Sequence, residues 1–407
     1  MLVAINYAPE IVGCAKYNTE LAEDLVRRGH RVEVVTATPY YPQWKIAEGY
    51  SGARWSHEEL NGVVVNRTPL FVPAKPSGLS RLAHLASFGV AAFFPAIRAA
   101  RRLKPDVVFA VAPTMAAANA AWFAAKVGGG ASWLHIQDFE VDAAFELGLL
   151  KNRTARQLAL RLESKLLRQF DRVSSISSAM TTLLKTKGVD PSRVVELRNW
   201  VDVDKLQPLV STNTSYRRKL RIPADHIVAL YSGNMAAKQG IEVLGDVARR
   251  LATTNAPITL ILCGEGPAKI SLEARCEGLT NVRFLSLQPV EQLPELLGTA
   301  DIHLLPQRPE AADLVLPSKL TGMLASGRPI VAMASAGSGL ADEVQGCGYI
   351  VPPTEEAMTN AVLALSADPD TRLAFGRRAR VVAETRWHKA AIIDSFETAL
   401  RFVRVPS

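Results

Sequence analysis

The chain has 407 residues, of which 48% are hydrophobic and 21% charged, a globular composition that suggests two domains. Its four cysteines are far apart and form no C-x-x-C pair, which argues against a disulfide framework or a zinc site and favours free thiols in a reducing compartment. The net charge is +8, and residues 1–205 carry most of it, with 26 basic against 19 acidic residues. We therefore expect an anionic partner for the N-terminal half, although no nucleic-acid-binding motif is present.

The first half alternates short apolar strands with longer helical stretches, a pattern that predicts βαβ units and a parallel sheet. The predicted strands are Leu2–Asn6, Arg31–Ala37, Val63–Pro69, Asp106–Val111, Ser132–Gln137, Arg172–Ser175 and Val194–Leu197. The predicted helices include Ala15–Arg28, Arg81–Leu103 and Ala155–Gln169. The chain opens on a strand, and the uncharged run Leu85–Ile97 is shorter than the ~20 residues of a membrane span. We therefore expect a cytoplasmic protein with neither a signal peptide nor a spanning helix.

Two segments of the first half carry candidate site residues. A loop with Gly13 follows the first strand, and Lys16 then stands at a helix start, where its charge is unfavourable unless an anion lies nearby. The segment Leu134–Gly148 places polar side chains just past a buried strand, where α/β enzymes keep catalytic groups. Asp138 is the candidate catalytic residue there. The alternative is a solvated acidic loop with a core histidine, His135.

The alternation stops over residues 205–223, which contain Pro, Ser, Thr and Asn but no clear strand, and we place the domain linker there. A second series of predicted strands follows: Ile227–Ser232, Ile258–Cys263, Val282–Leu285, Asp301–Leu305, Pro329–Met333 and Gly348–Val351. The sequence thus predicts two doubly wound α/β domains, 1–204 and 224–385, that face a cleft. The C-terminal helix of residues 386–407 could pack back on the first domain.

The strongest chemical signal is PSKLTGMLASGRPIVAM, residues 317–333. Pro317 and Ser318 can open a helix, with Ser318 as its N-cap, so that free backbone amides and the Lys319 ammonium would face an anion. The alternative is an ordinary connection between a helix and a strand, with Gly327 ending the helix. On the residues alone the two interpretations are equally supported.

Two further strand ends carry glycines. In YSGNMAAKQGIEVL, residues 231–244, Gly233 and Asn234 precede Lys238, which makes this loop a second candidate phosphate site. In LCGEGP, Gly264 stands at a similar strand end, although a tight turn would explain it equally well. No P-loop of the form G-x-x-x-x-G-K-[ST] is present, which argues against a nucleotide hydrolase.

Eight segments of the chain, read together, carry a family resemblance. They are NYAPEIVGCAKYNTELAEDLVRRGHRV, TPYYPQW, LHIQDFEVDAAFELGLL, RNWVD, YSGNMAAKQG, CGEGP, ADIHLLP and PSKLTGMLASGRPIV. By the order and number of these segments the chain resembles family 4 glycosyltransferases of the GT-B fold, and most closely the subfamily of colanic acid and related exopolysaccharide clusters. The resemblance runs nearly end to end.

The resemblance implies that the C-terminal domain binds a nucleotide-sugar, GDP- or UDP-linked with a tilt towards GDP-fucose, as a substrate and without a cofactor. Lys238 and Lys319, with Ser318, would neutralise the departing diphosphate. Gly13 would face the donor phosphates and Asp138 the transferred sugar, in a domain that binds the acceptor. Transfer would proceed with retention and without a metal, so lysines and helix amides would stabilise the charge on the leaving group.

The sequence departs from the broader family in two places. The usual glutamate pair is absent, because Leu314 and Gly322 stand at its two positions, and Asp313 is a candidate substitute in binding the donor. Cys14 replaces the second glycine of the family's glycine loop. The subfamily with Pro-Ser-Lys in place of the glutamate pair explains the first change without loss of activity.

Two basic, apolar stretches, Ser80–Lys104 and Lys151–Arg172, could lie on an anionic membrane or simply pack on the core with a solvated basic face. The leading hypothesis is therefore a transferase that extends a lipid-linked glycan in exopolysaccharide biosynthesis at the inner face of the plasma membrane. Two alternatives stay open at this point. One is a nucleotide-sugar epimerase of the GT-B fold, and the other is a degenerate scaffold without activity.

Overall fold

The structure is a computed structural model that describes residues 1–11, 13–74, 78–112, 115–139, 153–209, 214–235, 239–308 and 316–403. The chain forms two compact units. The first comprises Met1–Arg198 with Ile392–Ser407, and the second comprises Asn199–Ala391. Each unit is a largely parallel sheet with helices, as predicted.

The sheet of the first unit has the strand order β3-β4-β2-β1-β5-β6-β7-β8. Its strands are β1 Leu2–Ala4, β2 Glu33–Ala37, β3 Ser56–Leu60, β4 Val63–Thr68, β5 Val107–Ala112, β6 Ala131–Ile136, β7 Arg172–Ser175 and β8 Val194–Glu196. Its helices include α1 Cys14–Arg27, α2 Gly78–Leu103, α3 Met115–Gly128, α4 Arg153–Leu167 and α5 Ser178–Thr186. Strands β1, β2 and β6 are buried along their whole length, which explains why most of their residues are apolar.

The sheet of the second unit has the order β11-β10-β9-β12-β13-β14, all pairs parallel. Its strands are β9 Ile227–Ser232, β10 Ile258–Cys263, β11 Val282–Leu285, β12 Ile302–Leu305, β13 Ile330–Met333 and β14 Gly348–Val351. Its helices include α6 Ser215–Lys219, α7 Val243–Thr253, α8 Lys269–Arg275, α9 Leu293–Thr299, α10 Lys319–Ala325, α11 Gly339–Val344, α12 Glu355–Ala367 and α13 Pro369–Arg386. The last helix, α14 Lys389–Arg401, begins in the second unit and continues into the first.

Strand β3 was not expected. It pairs antiparallel with β4 at the edge of the first sheet, whereas the other strand pairs of this sheet are parallel. The sequence of β3, SHEEL, lacks an apolar run, because the strand is largely exposed at the sheet edge and needs no apolar face.

The segment expected to be a linker, residues 205–223, contains helix α6 and belongs to the second unit, which starts at Asn199. Arg217 of α6 holds the segment in this unit. Its side chain is buried and donates to the Asp301 carboxylate at 2.5 Å and to the His226 carbonyl at 3.0 Å.

At the other end of the chain, Phe396 of α14 packs on Phe109 and Trp133 of the first unit, with ring centroids 5.1 Å apart in both pairs.

Helix α2 differs from the expectation that no segment could span a membrane. Its residues Ser80–Leu103 are long and apolar enough to do so by length and composition, although one such helix is weak evidence of a span. The uncharged run is shorter than the helix because Arg98 ends it, although the helix continues through Arg101 and Arg102 to Leu103. The inner side of α2 packs on α3 and the sheet, with Phe88 and Ala96 fully buried.

No disulfide links the four cysteines, as predicted; three are buried and Cys14 is half-buried. Burial raises the pKa of Cys263 and Cys347 to about 11, so these thiols stay protonated at neutral pH.

Candidate active site

In the second unit the strand order reverses between β9 and β12, which stand side by side at the centre of the sheet. Ligands of doubly wound sheets bind at the carboxyl ends of the strands at such a point. The predicted residues Gly233 and Asn234 directly follow β9, and Gly264 follows the neighbouring strand β10. The fold therefore gathers these three at the sheet edge where a ligand is expected.

Gly233 and Gly264 let the two strand ends approach closely. The Gly233 amide donates to the Cys263 carbonyl at 3.0 Å, and a Cβ at Gly264 would lie 1.9 Å from the Gly233 oxygen. Gly264 also has a φ of +154°, a conformation that other residues rarely adopt. Only glycine at position 264 permits this packing of the two loops.

Lys319 reaches the same place from the start of α10. Its Nζ donates a hydrogen bond to the Tyr231 hydroxyl at 2.8 Å and stands 4.1 Å from the centroid of that ring. A Cβ built on Gly233 would lie only 3.2 Å from the same nitrogen. Tyr231 in turn donates to the Asn234 carbonyl at 2.7 Å. The lysine is thus held over the end of β9, a position suited to a cation that binds an anionic ligand.

The start of α10 corrects one expectation. Ser318 occupies the N-cap position but has helical backbone angles, and its side chain makes no capping hydrogen bond. The turn is closed instead by the Leu320 amide, which donates to the Pro317 carbonyl at 3.0 Å. Because the Ser318 side chain is exposed and Pro317 is buried, Ser318 is still available to a ligand.

Two predicted residues, Lys238 and Asp313, lie outside the described residues.

Arg308 is a further cation near this sheet edge, in addition to the predicted lysines, and it was not predicted from the sequence. It follows β12, its Cγ lies 3.3 Å from a Cβ built on Gly240, and it pairs with Glu242 at 3.5 Å. A basic residue at the carboxyl end of a central strand was the signal that could have found it.

Position 322 is also informative, because the family's second glutamate would stand there. A Cβ built on Gly322 would lie 3.1 Å from Leu297 Cδ1, within the apolar packing of the second unit. The Cβ of a glutamate at this position would therefore be in close contact with an apolar side chain.

The first unit brings its own predicted residues to the carboxyl ends of its strands. Gly13 has a φ of +61°, and a Cβ built on it would lie 4.0 Å from the Tyr41 ring. Burial, and after it the charges of Cys14, Glu10 and Asp138, raise the pKa of Tyr41. Asp138 is half-buried just past β6. Gly13 and Asp138 thus both lie near Tyr41.

Glu10 joins several groups by hydrogen bonds at this edge of the first sheet, and the sequence alone did not single it out. Its Oε1 accepts from the amides of Tyr40 and Tyr41, both at 2.8 Å, and its Oε2 accepts from Asn6 at 2.9 Å. Burial raises the pKa of this carboxyl group. Glu10 also lines a cavity of about 700 Å³, together with Ile11, Tyr41, Lys45 and Glu48 among others.

His135 is a core histidine, in line with the alternative considered above. It lies inside β6, is buried, stacks on Phe109 and hydrogen-bonds Ser174 at 2.9 Å. Burial lowers its pKa to about 3, so it stays neutral. Of the acidic residues that follow β6, Glu140 and Asp142 lie outside the described residues.

Comparison with known proteins gives the family. Residues 12–200 match the model of the glycosyl transferase 4-like domain, and residues 226–368 match that of glycosyl transferases group 1. The chain is also 42% identical over 342 residues to the putative colanic acid biosynthesis glycosyl transferase WcaI of Escherichia coli K12, covering 83% of both chains. The chain belongs to the family 4 glycosyltransferases of the GT-B fold.

Solved structures of glycosyltransferases share the fold. The sucrose-phosphate synthase of Thermosynechococcus elongatus matches with a TM-score of 0.76 at 18% identity, covering 98% of both chains. Anabaena HepE, solved in complex with UDP-glucose, matches with a TM-score of 0.70 at 16% identity, covering 98% of this glycosyltransferase and 99% of that chain. These structures show the fold, whereas the family models and the similarity to WcaI show that the chain is a glycosyltransferase, as predicted.

Proposed function

We propose that this glycosyltransferase moves a sugar from a nucleoside diphosphate sugar to a lipid-linked glycan at the inner face of the plasma membrane, in the biosynthesis of an exopolysaccharide such as colanic acid. The observation that carries the proposal is the position of Lys319 over Gly233 and Tyr231, at the centre of the second sheet. The name of the similar WcaI protein supports the pathway, and the UDP-glucose in HepE supports the donor class.

In the proposed reaction, the bond between the anomeric carbon and the diphosphate breaks, and the diphosphate leaves with the electron pair. A hydroxyl oxygen of the acceptor forms the new bond on the same face of the sugar, and its proton is released. Lys319, Lys238 and the exposed Ser318 stabilise the charge that develops on the leaving group, so that no metal is needed. Asn234 and Gly264 line the nucleotide side, with Asp313 as the candidate substitute for the missing glutamates.

On the acceptor side, Asp138 and Gly13 face the transferred sugar and the phosphates. The cavity beside Glu10 and Tyr41 has the volume of a small glycan and mixes apolar with charged groups, which suits the acceptor.

The test is transfer of labelled sugar from UDP-, GDP- and dTDP-sugars to lipid extracts, with EDTA present and absent. The anomeric configuration of the product is read by NMR. We expect one donor class to be used, EDTA to have no effect, and Asp138→Asn to lower the rate. A donor that is altered without any acceptor would instead indicate an epimerase, and absence of transfer to every acceptor would overturn the proposal.

A further inference from the structure

An exposed apolar surface covers one side of the first unit. It is formed by Trp55 beside β3, Val90 and Phe94 of α2, and Phe123 and Val127 of α3, and we call it the α2–α3 face. Val90 is 74% and Phe94 76% exposed. Side chains of this size usually face the core, so their exposure within one surface suggests a partner.

Aromatic contacts make the face continuous. The ring of Phe93 lies 5.7 Å from that of Phe94 and 5.9 Å from that of Phe123, measured between centroids. The Trp55 indole donates to the Ala91 carbonyl at 3.2 Å, which holds it beside the middle of α2. The face is therefore held on regular helices and a strand edge.

The helix under the face is anchored by its opposite side. Ala92, Ala96 and Ala100 are fully buried, and a Cβ built on Gly89 would lie 2.4 Å from Ala116 of α3. Helix α2 is thus apolar on both sides, although only one side packs on the protein. A helix of a soluble domain usually presents charged residues on its outer side.

The rim of the face is basic. Arg81 precedes it on α2, Arg98 and Arg101 follow it, and Lys126 stands beside Val127 on α3; all four side chains are exposed. Neither helix contains an aspartate or glutamate. The face therefore offers apolar side chains in the middle and positive charge around them.

Helix α4 continues the same pattern. Leu158 and Leu162 are each 59% exposed, beside the exposed Arg161 and Lys165. Its one acidic residue, Glu163, is buried and paired with Lys187.

We propose that the α2–α3 face docks the first unit on the surface of an anionic lipid bilayer. Phenylalanine, tryptophan and valine enter the boundary between headgroups and acyl chains, and the arginines and lysines contact lipid phosphates. Charge complementarity selects this occupant over a second copy of the chain, because two such basic rims would repel each other. The inference deepens the proposed transfer to a lipid-linked acceptor, since it brings the enzyme to the surface where such an acceptor lies.

The test is sedimentation of the full chain with vesicles, without donor or acceptor. Vesicles of phosphatidylcholine alone are compared with vesicles that also contain phosphatidylglycerol. We expect binding to the anionic vesicles only, and a decrease of about tenfold or more in the double variant Val90→Ser, Phe94→Ser. Arg98→Gln with Arg101→Gln should weaken binding and reduce its salt dependence.

The matched control is Ile270→Ser, which removes an equally exposed apolar side chain, 80% exposed, from the second unit. Brominated lipids should quench wild-type tryptophan fluorescence more than that of Trp55→Phe. Equal vesicle binding by the Val90/Phe94 variant and the wild type would overturn the proposal, as would a dimer in solution that this variant abolishes.

The two proposals fail separately. Vesicle binding without sugar transfer would support the docking surface and overturn the proposed function. Transfer to a short-chain, water-soluble acceptor by a protein that does not bind vesicles would support sugar transfer and overturn the docking surface.

Discussion

Lys319 is held by Tyr231, which both accepts a hydrogen bond from its Nζ at 2.8 Å and presents its ring 4.1 Å away. The two residues are 88 positions apart in the chain, and Tyr231 is fully buried. The lysine therefore has a fixed position at the end of β9 before any donor binds, which lowers the entropic cost of using it.

Replacing Lys319 by methionine should lower kcat about 100-fold, because the ammonium stabilises charge that develops only as the diphosphate leaves. The melting temperature should change little, since Lys319 is only half-buried. Lys205→Met is the control, because that side chain is 84% exposed and pairs only with the nearby Asp202 among the ion pairs described. Steady-state kinetics of both variants decide the matter, and equal rates for them would remove Lys319 from the site.

Replacing Tyr231 by phenylalanine keeps the ring beside Lys319 and removes only the hydroxyl group. The variant loses the hydrogen bonds of this hydroxyl to Lys319 and to the Asn234 carbonyl. The loss of the bond that holds Lys319, about 1 kcal/mol, should lower kcat/KM about fivefold. The control is Tyr216→Phe, which removes a hydroxyl that bonds Gln288 at 2.9 Å and Gln292 at 2.8 Å elsewhere in the same unit. Both variants should lose similar stability, and only Tyr231→Phe should lose affinity for the nucleoside diphosphate in calorimetry.

Gly264→Ala should destabilise the second unit by more than about 3 kcal/mol, since the new methyl group would meet the Gly233 oxygen and φ is +154°. At Gly278, where φ is +78° and the space around the Cβ is open, alanine should cost only about 1 kcal/mol. Urea unfolding measures both. Similar losses in the two variants would show that strain, and not the close approach of the loops, decides the residue at 264.

Acid should destabilise the second unit through His303, which is fully buried beside Ser326. Burial lowers the pKa of His303 from 6.5 to about 3, so between these pH values the unfolded chain binds a proton at this histidine and the folded chain does not. The stability from this group is complete above pH 6.5 and is lost as the pH falls towards 3, at about 1.4 kcal/mol per pH unit. His303→Gln should have a flatter dependence of unfolding free energy on pH over this window, and an unchanged slope would contradict the prediction.

Much of the second unit was predictable because its strands appear as short apolar runs, and β10, β12 and β13 are buried along their whole length. Strands β9, β10, β11 and β14 have the predicted bounds. The glycines after β9 and β10 could be found by their place alone. Glu10 could not, because a single charged residue in a loop carries no pattern until the fold gives it neighbours.

By itself, the sequence determined that the chain forms two α/β units, where the glycine-rich strand ends lie, and that Lys319 is a candidate for binding phosphate. These properties follow from local hydrophobic periodicity and backbone preferences. Only the tertiary structure decided that Lys319 rests on Tyr231, that Ser318 does not cap α10, and that the outer side of α2 is exposed. The physical reason is that each depends on which distant segments pack together, and a helix apolar on both sides does not reveal in its sequence which side is covered.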